Sequence, residues 1–124
     1  MIETVNDVPL WGLPDAGPPL GSESDAVDII GEAHQLGAAM IGIPAGRLDP
    51  AFLRLSSGMA GAFIEKLQQY GCRLAVVGDI SAALEASGAL RDFVRETNRR
   101  GQHLFVRDEA ELRAKLAPYP PPRK

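Results

Sequence analysis

The sequence predicts a single layered α/β domain with a mostly parallel central sheet and flanking helices. Short apolar runs of strand length alternate with segments of helical period, and glycine or proline stands at most of the junctions. A chain of 124 residues, 45% of them hydrophobic, can bury one core. Alternating strands and helices demand parallel strands joined by right-handed crossovers, so we expect at least three parallel strands.

The chain begins with a predicted hairpin. Residues 1–5 and 8–13 are apolar runs separated by Asn6 and Asp7, a pair typical of tight turns. Proline lacks the N–H that a sheet ladder needs, so Pro9 is expected on an edge strand.

A first helix and a first central strand follow. Residues 25–36 carry apolar side chains at helical spacing, with Ser24 as the expected N-cap and Gly37 as the stop. Residues 39–43 then form a short apolar run that suits a buried strand and ends at Pro44.

The second half continues the alternation. We expect a helix from residue 57 that Gly71 stops, and then a strand at 73–77. A short helix at 80–86 and a longer helix that Gly101 stops should follow. The last expected elements are a strand at 103–106 and a helix that begins at Asp108 and turns Leu112 and Leu116 inward. Ligands or partners of such a sheet meet the loops at the carboxyl ends of the strands.

We expect the folded domain to span residues 1–117. Residues 118–124 contain four prolines and predict a disordered C-terminal tail. No apolar stretch approaches the ~18 residues of a membrane span, and a lone Cys72 forms no intramolecular disulfide. These features predict a cytoplasmic protein without membrane association.

Charge is distributed unevenly along the chain. Residues 1–46 contain seven acids and no lysine or arginine, whereas residues 47–124 contain 13 basic and nine acidic residues, which gives −7 against +4. This split permits a homodimer, or it cancels within one compact domain.

A basic stripe in the second half raises the question of nucleic acid. Its arginines are spaced as on one helical face, with acids between them: Arg91, Arg95, Arg99 and Arg100, beside Asp92 and Glu96. No aromatic residue is interleaved on that stripe, so we expect a solvated, ion-paired face and no nucleic-acid partner. His34, His103 and Cys72 have no metal-ligand spacing, and we expect no metal and no cofactor.

Four sequence blocks carry a resemblance to a known family. They are Leu55-Ser-Ser-Gly-Met-Ala-Gly61, Leu74-Ala-Val-Val-Gly-Asp79, Leu90-Arg-Asp-Phe-Val94 with Glu96-Thr-Asn-Arg99, and Phe105-Val-Arg-Asp-Glu109. Over roughly residues 24–116 the chain resembles domain of unknown function 4180, an uncharacterised bacterial family that implies no agreed activity. The layout, a hairpin followed by alternating helices and strands, is similar to the STAS domains of anti-sigma-factor antagonists.

The likeness to STAS domains implies a candidate site at the start of the second long helix. STAS antagonists carry a phosphorylatable serine there, which makes Ser56, Ser57 and Gly58 a candidate phospho-acceptor or anion-binding segment. Free N–H groups at a helix start favour anions. A serine N-cap, worth about 1 kcal/mol, explains the same residue without any ligand. Leu55 replaces the aspartate of the STAS motif, and residues 47–54 add a loop before it.

A second candidate site lies at the carboxyl ends of the predicted strands. Arg47, Asp49, Asp79 and Asn98 are placed to line a crevice there, although Asp79 also suits a helix cap and has no paired base. We therefore assign no catalytic residue. The sequence favours a non-catalytic regulatory or protein-interaction module of STAS type with an unknown protein partner. The alternative is a small-molecule-binding or enzymatic domain that uses this crevice.

Overall fold

The computed structural model describes residues 2–116, which form one five-stranded sheet with helices on both faces. The strands are β1 (Ile2–Val5), β2 (Val8–Gly12), β3 (Met40–Pro44), β4 (Arg73–Val77) and β5 (Leu104–Val106). They lie side by side in sequence order, with β1 antiparallel to β2 and β2 to β5 mutually parallel. The predicted mostly parallel α/β fold is confirmed. The predicted tail at 118–124 lies outside the described residues.

Five helices connect and follow the strands. They are α1 (Glu23–Leu36), α2 (Met59–Gln69), α3 (Ser81–Ala86), α4 (Gly88–Arg100) and α5 (Glu109–Lys115). None of the helices within residues 2–116 is long and apolar enough to cross a lipid bilayer.

The helices are divided unequally between the two faces of the sheet. Ile41, Ile43 and Val76 pack in one buried cluster with side chains of α1, α2 and α4, and we call this side the helix face. Met40 and Ala75, which alternate with them along the strands, pack with the leucines of α5 in a second cluster on the α5 face. Leu112 and Leu116 point inward on α5, as predicted.

Pro9 does not stand on an edge strand, because β2 lies between β1 and β3. The prediction was wrong because it took no account of where the ladder starts. The parallel register with β3 begins only at Leu10, and the Pro9 carbonyl still accepts a hydrogen bond from the Ala39 N–H at 2.9 Å. The missing N–H therefore costs no ladder bond. Asn6 and Asp7 form the predicted turn, with φ of 50° and 67°.

The first helix begins earlier than predicted, because Ser22 rather than Ser24 is its N-cap. The Ser22 hydroxyl accepts from the Asp25 N–H at 3.0 Å, and the Asp25 carboxylate accepts from the Ser22 N–H at 3.1 Å. This reciprocal pair is a capping box, and the acid three residues later selects Ser22 over Ser24. The predicted stop at Gly37 is confirmed by its left-handed conformation.

Two helical glycines provide a test of how far local propensity contributes to stability. A Cβ added at Gly31 in α1 or at Gly61 in α2 would meet nothing within 4 Å. We expect Gly31→Ala and Gly61→Ala each to raise the free energy of unfolding by up to about 1 kcal/mol in urea denaturation. We expect Gly17→Ala to lower the free energy of unfolding, because the added Cβ would lie 2.5 Å from Cζ of Arg47. Equal effects in all three variants would contradict this account.

Candidate functional site

The two serines before α2 have different environments. Ser57 lies in a 3₁₀ turn, Leu55–Ser57, and its hydroxyl donates to the Ala51 carbonyl at 2.7 Å and accepts from the Met59 N–H at 3.1 Å. Ser57 thus satisfies an N–H of the first helical turn, although the N-cap position itself belongs to Gly58. These two hydrogen bonds occupy the hydroxyl and hold the preceding loop against the helix.

Ser56 is exposed, and its hydroxyl forms no hydrogen bond with the described residues. It lines a surface cavity of about 410 Å³ together with loop residues such as Leu53 and small residues of α3 and α4 such as Ala86 and Ala89. Both serines are exposed, and they differ in that the Ser57 hydroxyl is hydrogen-bonded on both sides, whereas that of Ser56 has no partner among the described residues.

A larger cavity of about 870 Å³ lies between α2 and α4. Its walls include the half-buried Ile64 and Phe93, and the exposed Gly61 leaves α2 thin on this side. Ala89 lines both this cavity and the one beside Ser56, so the two adjoin at that residue. We call the combined surface the α2–α4 trough.

Ion pairs surround the α4 side of the trough. Asp92 pairs with Arg95 at 2.5 Å, and Glu96 pairs with Arg99 at 2.6 Å and with Arg100 at 3.1 Å. The hydrogen bonds from Arg99 and Arg100 lower the pKa of Glu96 to about 2. The predicted ion pairs along this face are confirmed.

A buried histidine closes the end of the trough. His103 is 5% exposed; its Nδ1 lies 3.1 Å from the Leu74 N–H nitrogen and its Nε2 lies 3.1 Å from Oε1 of Gln68. Nδ1 must accept, so these partners assign the neutral tautomer in which Nε2 donates. Burial, and then the charge of Arg73, lower the pKa of His103 to about 4. The neutral ring connects α2 to the sheet.

The predicted crevice is not assembled as expected. The buried guanidinium of Arg47 donates to the carbonyls of Pro14, Ala16 and Pro18 at 2.8, 3.3 and 3.0 Å, and so clamps the loop after β2. Asp49 accepts from the Ala51 N–H at 2.8 Å within its own turn. Both were predicted by position at a strand end, but hydrogen bonds to the main chain occupy the Arg47 guanidinium and one carboxylate oxygen of Asp49.

Asp79 and Asn98 do come together, in a cavity of about 200 Å³ that Arg47, Asp49 and Ser57 do not line. The Asn98 side chain is used by the fold, because it donates to the Phe105 carbonyl at 3.0 Å and accepts from the Phe105 N–H at 2.7 Å. The hydrogen bond from the Ser81 N–H, at 2.9 Å, lowers the pKa of Asp79.

Folding also brings Cys72 near His34, with Sγ 3.9 Å from Nε2. The thiol is 1% exposed, and burial raises its pKa, whereas a nucleophilic cysteine needs a lowered one. Nε2 of His34 also lies 3.2 Å from the Tyr70 carbonyl. Among residues 2–116 no group of three or more His, Cys, Asp or Glu side chains is arranged to hold a metal ion.

Sequence reasoning missed two surfaces. Neither the trough nor a cavity of about 490 Å³ on the α5 face was predicted. The available signals were glycines inside regular elements: Gly61 in α2, and Gly12 and Gly42 in neighbouring strands. A glycine within a strand often marks a close approach of backbone or ligand.

The fold and these surfaces define a small α/β domain with a sequentially ordered, mostly parallel sheet. A family model described as "Domain of unknown function (DUF4180)" matches residues 5–116. The chain belongs to this family, as its sequence blocks predicted. Searches of curated proteins and of solved structures returned no match.

The Arg47 clamp can be tested by removing its charge. Arg47→Met leaves three carbonyls without their donor, and we expect the free energy of unfolding to fall by about 2–3 kcal/mol in urea denaturation. The loop at 14–18 should also become more sensitive to limited proteolysis. Arg54→Met is the matched control, because Arg54 is exposed and donates no hydrogen bond to the described residues. Equal stability of the two variants would contradict the clamp.

Protonation of His103 predicts a loss of stability in mild acid. Its folded-state pKa of about 4 lies below the unfolded value of 6.5, so the unfolded chain takes up the proton first. The contribution of the neutral His103 ring to the free energy of unfolding is complete above pH ~6.5. It falls by up to about 3 kcal/mol as the pH approaches ~4. In urea denaturation across this range, His103→Asn should lack that component, whereas His34→Asn should keep it. Identical pH dependence in His103→Asn and wild type would refute the assignment.

Proposed function

We propose that this protein is a non-catalytic protein-interaction module of STAS type whose partner contacts the α2–α4 trough. The observation that carries the proposal is the cavity of about 870 Å³ between the two long helices, which reaches His103 at one end and adjoins the cavity beside Ser56 at Ala89. STAS antagonists, which the chain resembles in layout, carry their phosphorylatable serine at the same helix start, and this supports a regulated contact there.

The alternative of an enzyme at the predicted crevice has less support. The polar atoms of Arg47, Asp49, Ser57 and Asn98 hydrogen-bond to the main chain and maintain the fold. A side chain that must keep such bonds is poorly suited to exchange protons with a substrate. The trough needs no such group, because shape and apolar contact suffice for a protein partner.

The dimensions of the trough suit one helix of a partner protein. With 11 residues in α2 and 13 in α4, its walls are about 16–20 Å long, or roughly three helical turns. An amphipathic helix would place an apolar stripe against Ile64 and Phe93, as in other helix-in-groove complexes.

Ser56 is the residue at which the contact would be regulated. A phosphate there would add nearly two negative charges at the end of the trough without breaking any hydrogen bond, whereas modification of Ser57 would disrupt its bonds to Ala51 and Met59. We place this module in the bacterial cytoplasm, where the buried free thiol of Cys72 is stable.

The trough is tested by filling it from Gly61. Gly61→Arg introduces a good helix former and projects a long side chain into the trough, whereas Gly31→Arg makes the same change on α1, also in open space. In quantitative co-purification from the native host, we expect at least one protein to be recovered equally with wild type and with Gly31→Arg. The amount recovered with Gly61→Arg should be at least tenfold lower.

Light scattering on the same three proteins distinguishes a second copy of this chain from another partner. Retention of the same proteins at the same level by Gly61→Arg would overturn the proposal, provided that its stability matches that of Gly31→Arg.

A further inference from the structure

We propose that the α5 face carries a separate binding site for a small molecule that joins a flat apolar ring to an ammonium group. The site is the cavity of about 490 Å³ at the carboxyl ends of β2, β3 and β4, and we call it the α5-face bowl. It lies on the opposite side of the sheet from the trough, and its walls share no residue with the trough.

The bowl exists because the α5 face is covered by a single short helix. α5 spans seven residues; it buries Leu112 against the strands, and Leu116, which follows it directly, is buried there too. Its first turn forms one wall of the bowl, and residues 13–15 form another. The volume of this open cavity falls within the ~300–1,000 Å³ typical of small-molecule sites.

Glycines form the floor of the bowl and favour a flat ligand. Gly12 on β2 pairs in register with Gly42 on β3, and a Cβ added at Gly12 would meet nothing within 4 Å. Gly42 itself is buried beside the Leu10 side chain, so Gly12 is the exposed part of the floor, and Leu10, Pro44 and Val77 supply the apolar surface around it. On the helix face the same strands carry large side chains such as Trp11 and Ile41. The lack of side chains is therefore confined to the bowl.

The charge of the rim selects a cation. The carboxylates of Asp15 and Glu109 form no hydrogen bond or ion pair with the described residues. Asp108 is occupied in capping α5, where it accepts from the Glu111 N–H at 2.9 Å. Arg107 is the one basic residue among those that line the bowl, against three carboxylates; its Nε lies 3.7 Å from Oε1 of Glu111, a carboxylate that Lys115 shares at 3.8 Å. An ammonium group near Asp15 and Glu109 would complement the negative charge of these two unpaired carboxylates.

Asp15 is held in place before any ligand arrives. The Arg47 guanidinium binds the carbonyls of Pro14 and Ala16 on either side of it, and the Leu13 N–H donates to the Gly42 carbonyl at 2.9 Å. A rim that is already ordered saves the entropy cost of ordering it on binding. The clamp thus gives the loop a role beyond stability, because it sets the position of a binding carboxylate.

The test is an NMR titration of the full chain with three indoles that share the ring and differ in the charged or neutral group at the end of a short side chain: tryptamine, neutral tryptophol and anionic indole-3-propionate. For tryptamine, with about twelve heavy atoms, we expect saturable shifts at the amides of Gly12, Gly42 and Glu109 and a Kd on the order of 1 mM or tighter. Binding should be at least tenfold weaker for the anion and intermediate for the neutral probe. Scattered or unsaturable shifts would overturn the site, and equal binding of all three probes would overturn its selectivity for a cation.

Two sets of variants separate the floor from the rim. Gly12→Val fills the bowl and should abolish the shifts of all three probes, whereas Gly46→Val, also in open space, should not. Asp15→Asn combined with Glu109→Gln should lower the affinity of the protein for tryptamine to its affinity for tryptophol. Asp28→Asn combined with Glu32→Gln, on exposed positions of α1, should leave the preference intact. Unchanged tryptamine binding in either test variant would refute the proposal.

Discussion

The handedness of strand connections is the constraint on which the rest of this molecule depends. Because β2 to β5 follow one another across the sheet, each right-handed crossover places its helix on the same face. α1, α2 and α4 therefore crowd one side, and the other side is left to α5. The two surfaces follow from this asymmetry: neighbouring helices leave a long trough between them, and a thinly covered sheet leaves a bowl.

Polar side chains take the place of main-chain partners where regular structure stops. Nδ1 of His103 accepts the Leu74 N–H, the Asn98 amide pairs with both main-chain groups of Phe105, and Asn6 donates to the Arg113 and Leu116 carbonyls at the end of α5. Buried or half-buried main-chain groups need such partners. This requirement explains why residues with the chemistry of an active site are found holding the fold together.

Local signals made the fold predictable, and long-range contacts made the site unpredictable. The strand at Arg73–Val77 was predicted to the residue from its apolar run, and Gly37 and Gly101 end their helices as expected. The bond between Gln68 and His103 joins residues 35 apart, and no spacing rule reports it. Arg47 is similar: its position after a strand was visible, but the folding of the loop at 14–18 around its guanidinium was not.

The Asn98 amide also determines how this sheet can grow. By occupying the outer main-chain groups of Phe105, it closes the β5 edge to an incoming strand, whereas β1 pairs only with β2 among the described strands. Open sheet edges are templates for aggregation, and a fibre needs one at each end of every subunit. A sheet with one open edge has room for one further strand, so pairing of two copies through β1 would leave no open edge for a third.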